Sequence, residues 1–147
     1  MLWVRLSLLD QTLIHRNRKV NAQTGSGKTA TFALPILQKL ARDPFGIFAL
    51  IITPNRELAF QISEQFNIFG TSINLRVATI VGGLDIIRQK QELDKIPHIV
   101  VATPGRLADL LENNTYFQEM MKNLQFLVMD EADRLFDPTL MIHIETV

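Results

Sequence analysis

The stretch Ala22-Gln23-Thr24-Gly25-Ser26-Gly27-Lys28-Thr29 sets two glycines, a lysine and a hydroxyl residue at the spacing of a phosphate-binding loop. The glycines let successive backbone N–H groups curl around an anion with no Cβ in the way. Lys28 would reach the β- and γ-phosphates, and the Thr29 hydroxyl would hold a Mg²⁺ ion that also touches them. Residues 29–40 read as a helix, so its positive N-terminal end would face a triphosphate. Ala22 stands where the first glycine of such a loop usually stands. The plainer reading is a Gly/Ser/Thr loop that happens to precede a helix.

A second candidate lies about a hundred residues on, at a spacing that suits a nucleotide-binding core. Phe126-Leu127-Val128-Met129 is an apolar run that ends in Asp130-Glu131, the Walker B pattern. A strand there would carry Asp130 to the C-terminal edge of a sheet, where ligands bind in open α/β folds. Asp130 would hold Mg²⁺ through water, because that ion keeps much of its hydration shell. Glu131 would orient and deprotonate the water that attacks the γ-phosphate. Alone, such a pair usually just ends a strand; with the lysine loop upstream, the two form a nucleotide triphosphatase constellation.

These side chains need a scaffold, and the hydrophobic pattern supplies one. Four short apolar runs, 48–52, 77–81, 99–102 and 126–129, are nearly continuous, as strands covered on both faces should be. Residues 57–69 put Leu58, Ile62, Phe66 and Phe69 on one helical stripe. Shorter helices are predicted over 84–93 and 106–111. Strands alternating with helices argue for a mostly parallel sheet with helices on both faces, an α/β fold. Pro35 falls inside the first helical pattern, where a kink is predicted. The segment before the loop, Arg16-Asn17-Arg18-Lys19-Val20-Asn21, offers one good strand former where a buried central strand is needed.

Composition narrows the field. With 147 residues, 47% apolar and 20% charged, the chain is one domain able to bury a core. Net charge is zero, so no overall field draws it to nucleic acid or membrane. Basic residues nevertheless gather in 1–28 and acidic ones in 126–147, which could meet in one cleft. The absence of cysteine excludes disulfides, thiolate metal sites and a cysteine nucleophile. His15, His98 and His143 lack metal-ligand spacing, and Trp3 and Tyr116 make no stacking platform. No run approaches the roughly 18 apolar residues of a membrane span, and the short apolar start, broken by Arg5, does not read as a signal peptide.

Asp130-Glu131-Ala132-Asp133 resembles the signature of the DEAD-box RNA helicases. That family's first RecA-like domain has further motifs, and this sequence has similar ones in the same order. Pro54-Asn55-Arg56-Glu57-Leu58-Ala59 resembles motif Ia, Gly82-Gly83 the glycine doublet, and Thr103-Pro104-Gly105-Arg106 motif Ib. The resemblance covers 22–136, and the wording around the motifs is most similar to the nucleolar branch that works in ribosome assembly. It implies a RecA-like P-loop NTPase fold, and ATP with Mg²⁺ bound by residues 22–29 with Asp130 and Glu131. It also implies an RNA-backbone track along Pro54, Arg56, Gly82, Gly83, Thr103, Gly105 and Arg106, with Asp133 in the coupling between the two sites. Contacts of these types go to phosphate and sugar and carry no base sequence. Each has a plainer reading: helix-start charge for Arg56, simple turns for Gly82-Gly83 and Thr103-Pro104-Gly105.

The sequence also departs from the family. The adenine-reading glutamine expected upstream of the loop falls at Arg5, with Gln11 out of register, and Asn55 replaces a threonine. Residues 1–21 and 137–147 read as divergent segments, so the domain is expected to be incomplete at both ends, a truncated copy without the coupling Ser-Ala-Thr motif or the second RecA-like domain. The arginine finger of that second domain is worth about 10³–10⁵ in rate in comparable phosphoryl-transfer enzymes. Weak hydrolysis and no unwinding are therefore expected of this chain. Three states stay open: a nucleotide-binding half-enzyme, a non-catalytic module for RNA or a helicase's partners, and a poorly folded fragment. The family resemblance implies a nuclear or nucleolar location and a place on a pre-ribosomal particle.

Overall fold

The computed structural model describes residues 2–6, 18–20 and 27–135. Residues 22–26 of the glycine loop lie outside the described residues, as do His15 and His143. The sheet is built on four parallel strands: β3 (Ala49–Ile52), β4 (Val77–Ile80), β5 (Ile99–Ala102) and β6 (Phe126–Met129). They lie in the order β6-β3-β5-β4, each pair in parallel register. All four coincide with the apolar runs of the sequence to within a residue at either end.

Alternation along these strands separates two cores. Ala49 and Ile51 of β3, Ile99 and Val101 of β5, and Phe126 and Val128 of β6 face one side. They pack there on Phe32, Ile36 and Leu40 of α1 (Lys28–Leu40) and on Ile62 and Phe66 of α2 (Arg56–Phe69). The intervening residues Leu50, Ile52, Val100 and Ala102 face the other side. That face is covered by α3 (Ile86–Asp94), α4 (Pro104–Glu112) and α5 (Thr115–Met121), through Leu93, Leu107, Leu110, Leu111 and Phe117. Both central strands, β3 and β5, are fully buried, which is why their sequences run apolar without alternation. The expected fold, a mostly parallel sheet with helices on both faces, is the one observed.

Four details bear on what the sequence predicts. The segment beside β6 is β1 (Leu2–Leu6), paired antiparallel with it, and β2 (Arg18–Val20) lies beyond β1 at the sheet's edge, again antiparallel. The polar stretch before the loop is therefore an edge strand, a place that asks far less of its composition than a central one. Second, Pro35 lies inside α1, where a kink is predicted, and the helix runs on to Leu40. Its missing N–H falls on the exposed face of the helix, beside exposed Thr31 and Leu34, where water can serve the Thr31 carbonyl. Third, α2 buries Ala59, Ile62, Ser63 and Phe66, so its stripe is turned slightly from the predicted one and Leu58 is left half-buried. A seven-residue helix, α5, went unpredicted because its periodic content is too short to register. Among the described residues, no helix is long and apolar enough to cross a membrane.

Candidate functional site

The ladder fixes where the strands let go. Just past their ends, Thr53 N donates to Ala102 O at 3.0 Å, Thr103 N to Ile80 O at 2.9 Å and Asp130 N to Ile52 O at 2.9 Å. Each bond extends the sheet by one step, so the segments that follow β3, β5 and β6 all leave along one edge. The sequence-predicted residues after these strands thereby share the C-terminal edge of the sheet, separated into two cavities.

One cavity, of about 400 Å³, is lined by Gly27, Lys28 and Thr29 at the start of α1 and by Asp130 and Glu131 after β6. Gly27 takes φ +78°, a left-handed conformation, as the N-cap of α1 with no side-chain cap bond. Only glycine adopts that geometry freely, and Gly27 has no side chain with which to cap the first N–H groups of the helix. Asp130 is 7% exposed, and its Oδ1 accepts from Glu131 N at 3.0 Å. Glu131 itself has φ +51°, which turns the chain from β6 into α6 (Ala132–Leu135) and brings its carboxylate to the cavity. Its Oε2 lies 3.2 Å from Arg134 Nη1. The geometry there is no hydrogen bond, and the buried oxygen has no other partner. Arg134 is 68% exposed, so the pair is a solvated contact that does little to hold Glu131. Asp133 is exposed on α6, away from the cavity lining.

The remaining wall belongs to α2: Leu58, Gln61, Ile62, Glu64 and Gln65. Sequence reasoning passed over these. The signal was the spacing of Leu58, Gln61 and Gln65, which puts two amides on one helical face. As for Mg²⁺, the described residues contain no cluster of three His, Cys, Asp or Glu able to cage a metal. Asp130, the Thr29 hydroxyl and Glu131 Oε2, which makes no hydrogen bond, fit an ion held by one or two carboxylates, water and phosphate oxygens, the usual Mg²⁺ arrangement.

A second cavity, of about 430 Å³, opens on the other side of the start of α2. It is lined by Pro54, Asn55, Arg56, Gly82, Thr103, Pro104, Gly105 and Arg106. The predicted residues of three separate motifs thus converge on one groove, and Gly83 borders it through Arg56. Gly83 has φ +74°, and a Cβ there would overlap the Arg56 guanidinium. Arg106 is mostly covered, its side chain 13% exposed. Its Nη1 donates to Leu84 O at 2.9 Å, and its Nε lies buried with no hydrogen-bond partner, 3.8 Å from Asp109. Arg106 therefore braces the glycine turn as well as lining the groove. Two helix N-termini point here. Asn55 caps α2 by accepting from Leu58 N at 2.9 Å, whereas Thr103 gives α4 no side-chain cap. Pro104 has no N–H, so the amides of Gly105 and Arg106 are the ones left open to an anion.

A parallel α/β sheet that delivers Lys28, Thr29, Asp130 and Glu131 to one cavity at its C-terminal edge is a RecA-like domain. The chain belongs to the DEAD/DEAH box helicase family, whose model matches residues 5–147, further at both ends than the motif-bearing stretch. It is 56% identical over 139 residues to the ATP-dependent RNA helicase dbp8 of Schizosaccharomyces pombe, covering 92% of this chain and 30% of that protein. It is 60% identical over 116 residues to the ATP-dependent rRNA helicase rrp3 of Aspergillus fumigatus, covering 79% of this chain and 24% of the relative. Among solved structures, the DEAD-box helicase Mss116 bound to ssRNA and UDP-BeF superposes with TM-score 0.76 at 35% identity. That match covers 86% of this chain and 26% of the Mss116 chain. The chain thus spans under a third of the length of these relatives.

Proposed function

We propose that this chain forms the nucleotide- and RNA-backbone-binding domain of an ATP-dependent RNA helicase of the ribosome-assembly branch, acting in the nucleolus on pre-ribosomal RNA. The observation that carries the reading is convergence: motifs scattered over residues 54–106 meet in one groove, beside the Lys28/Asp130/Glu131 cavity and sharing α2 with it. The names of the relatives, ATP-dependent RNA and rRNA helicases, and the ssRNA in the Mss116 structure point the same way.

In this reading the amides of residues 22–29 and the Lys28 ammonium hold the triphosphate of ATP. Thr29 and Asp130 would hold Mg²⁺, which when bound would neutralise charge on the phosphates. Glu131 takes the proton from the attacking water. RNA lies across the groove with its phosphates on the open amides of α4 and on Arg56 and Arg106. Pro54, Gly82, Gly83, Thr103 and Gly105 keep that surface low enough for the backbone to approach. Asp133 couples the two sites.

Thermal unfolding with and without saturating Mg-ATP tests the nucleotide site. A ligand at a hundredfold excess over Kd stabilises the folded state by about 2.7 kcal/mol. An upward shift absent in Lys28→Ala supports the reading. A cooperative transition that ignores Mg-ATP leaves a non-catalytic RNA module, and no cooperative transition at all defeats both.

A further inference from the structure

Gln89 is a polar residue that the two cavities do not account for. It lies on α3, is 5% exposed, and appears in neither lining. Its side-chain amide is fully engaged with backbone. Oε1 accepts from Val81 N at 2.9 Å. Nε2 donates to Val81 O at 3.0 Å and reaches Asp85 O at 3.4 Å. Val81 immediately precedes the Gly82-Gly83 turn and Asp85 closes it. One amide therefore ties together both ends of the turn that supplies the groove with its glycines.

The same turn is held on its other flanks. The Arg56 guanidinium lies against Gly83, and Arg106 Nη1 donates to Leu84 O. Glycines have the largest conformational entropy to lose, so an unbraced turn of this kind would wander, and the groove's floor with it. Both arginines also face the ligand, and an arginine drawn toward phosphate pulls on the turn. Gln89 pulls from behind, out of reach of solvent.

We propose that Gln89 is a positioning residue for RNA binding: its amide locks the Val81–Asp85 turn so that Gly82 and Gly83 stay where a nucleic-acid backbone can lie across them. This rests on the groove being the RNA surface proposed above. A neutral amide is required, since it must accept from one backbone group and donate to two others. Methionine of similar length does neither, and a glutamate carboxylate can only accept. A protonated glutamate regains one donor.

The test uses the full chain and a fluorescein-labelled single-stranded oligouridine, with affinity read by anisotropy across a salt series. For Gln89→Met, losing these buried bonds is expected to weaken binding about tenfold. The dependence on log salt should stay as in the unaltered chain, because no phosphate contact is lost. Arg56→Ala, by contrast, should lower the salt slope by about 1. Amide exchange at Gly82, Gly83 and Leu84 should quicken in Gln89→Met. Where Gln89→Met does not fold, Gln89→Glu makes the comparison within one chain. A carboxyl buried there titrates high, so binding relative to the unaltered chain should be weak at about pH 8 and recover towards pH 6. Unchanged affinity in both Gln89 variants, or a salt slope lowered as in Arg56→Ala, would overturn the positioning role. Unchanged affinity in Arg56→Ala would instead overturn the reading of the groove itself.

Discussion

Glu131 sits in the left-handed region at φ +51° with one buried carboxylate oxygen unpartnered. A non-glycine residue held there costs of order 1–3 kcal/mol, and such strain clusters at functional sites. It is placed here by the tight step from β6 into α6, where Arg134 N and Leu135 N both bond to Glu131 O, at 2.8 and 3.2 Å. If the carboxylate is the general base, Glu131→Gln keeps shape and nucleotide binding but lowers ATP turnover about 10²–10⁴-fold. Phosphate release assayed beside a Mg-ATP thermal shift separates the two effects. A variant that loses binding too would assign Glu131 to ligand retention. Residue types such as Lys28, Thr29, Asp130 and Glu131 were legible in the sequence because the chemistry leaves few alternatives at those spacings. Arg106 was only half legible: its part in phosphate contact was expected, while its bond to Leu84 O depends on a fold that brings α4 to the glycine turn.

At the scale of elements, α2 has the widest reach. Its first turn borders the groove through Asn55 and Arg56, and the next turns wall the cavity of Lys28 and Asp130 through Leu58, Gln61 and Gln65. Its buried face meanwhile locks onto β4, where Thr79 Oγ1 donates to Ser63 Oγ at 2.7 Å. The Asn55 cap fixes where this helix begins. Asn55→Ala should destabilise the domain by about 1 kcal/mol, measurable by urea unfolding, and Asn55→Thr should restore part of it. Full stability in Asn55→Ala would show that packing alone sets the start of α2. The parallel strands were readable because burial on both faces writes a continuous apolar run. The pairing of β1 with β6 was not, because Leu2–Leu6 gives no local sign of which strand edge it will meet. The same holds for Gln89: a glutamine in a polar helical stretch resembles solvated surface until the turn it ties is known.

For the molecule as a whole, the end of the sheet opposite the two cavities sets a response to pH. His98 is 7% exposed, its ring Nδ1 accepts from Arg76 N at 3.3 Å, and its backbone N–H donates to Arg76 O at 2.9 Å. Burial, and then the positive charge of Arg76, hold its imidazole below the ordinary value of 6.5. The unfolded chain therefore binds the proton more readily than the folded one. Stability due to the neutral ring is complete above about pH 6.5 and is lost as pH falls from there towards the lowered folded-state value. Denaturant midpoints should decline between about pH 7 and 5.5, and less steeply in His98→Asn, which cannot gain the charge. Equal slopes would place the titration elsewhere. At the other margin of the sheet, no strand among the described residues pairs with the outer side of β4, and open strands invite a second chain to pair and continue the sheet. The amide of Gln89 occupies both the N–H and the C=O of Val81, the position directly after β4. An incoming strand would find the rung at Val81 already taken, so the side chain that ties the glycine turn also closes the last rung of this edge.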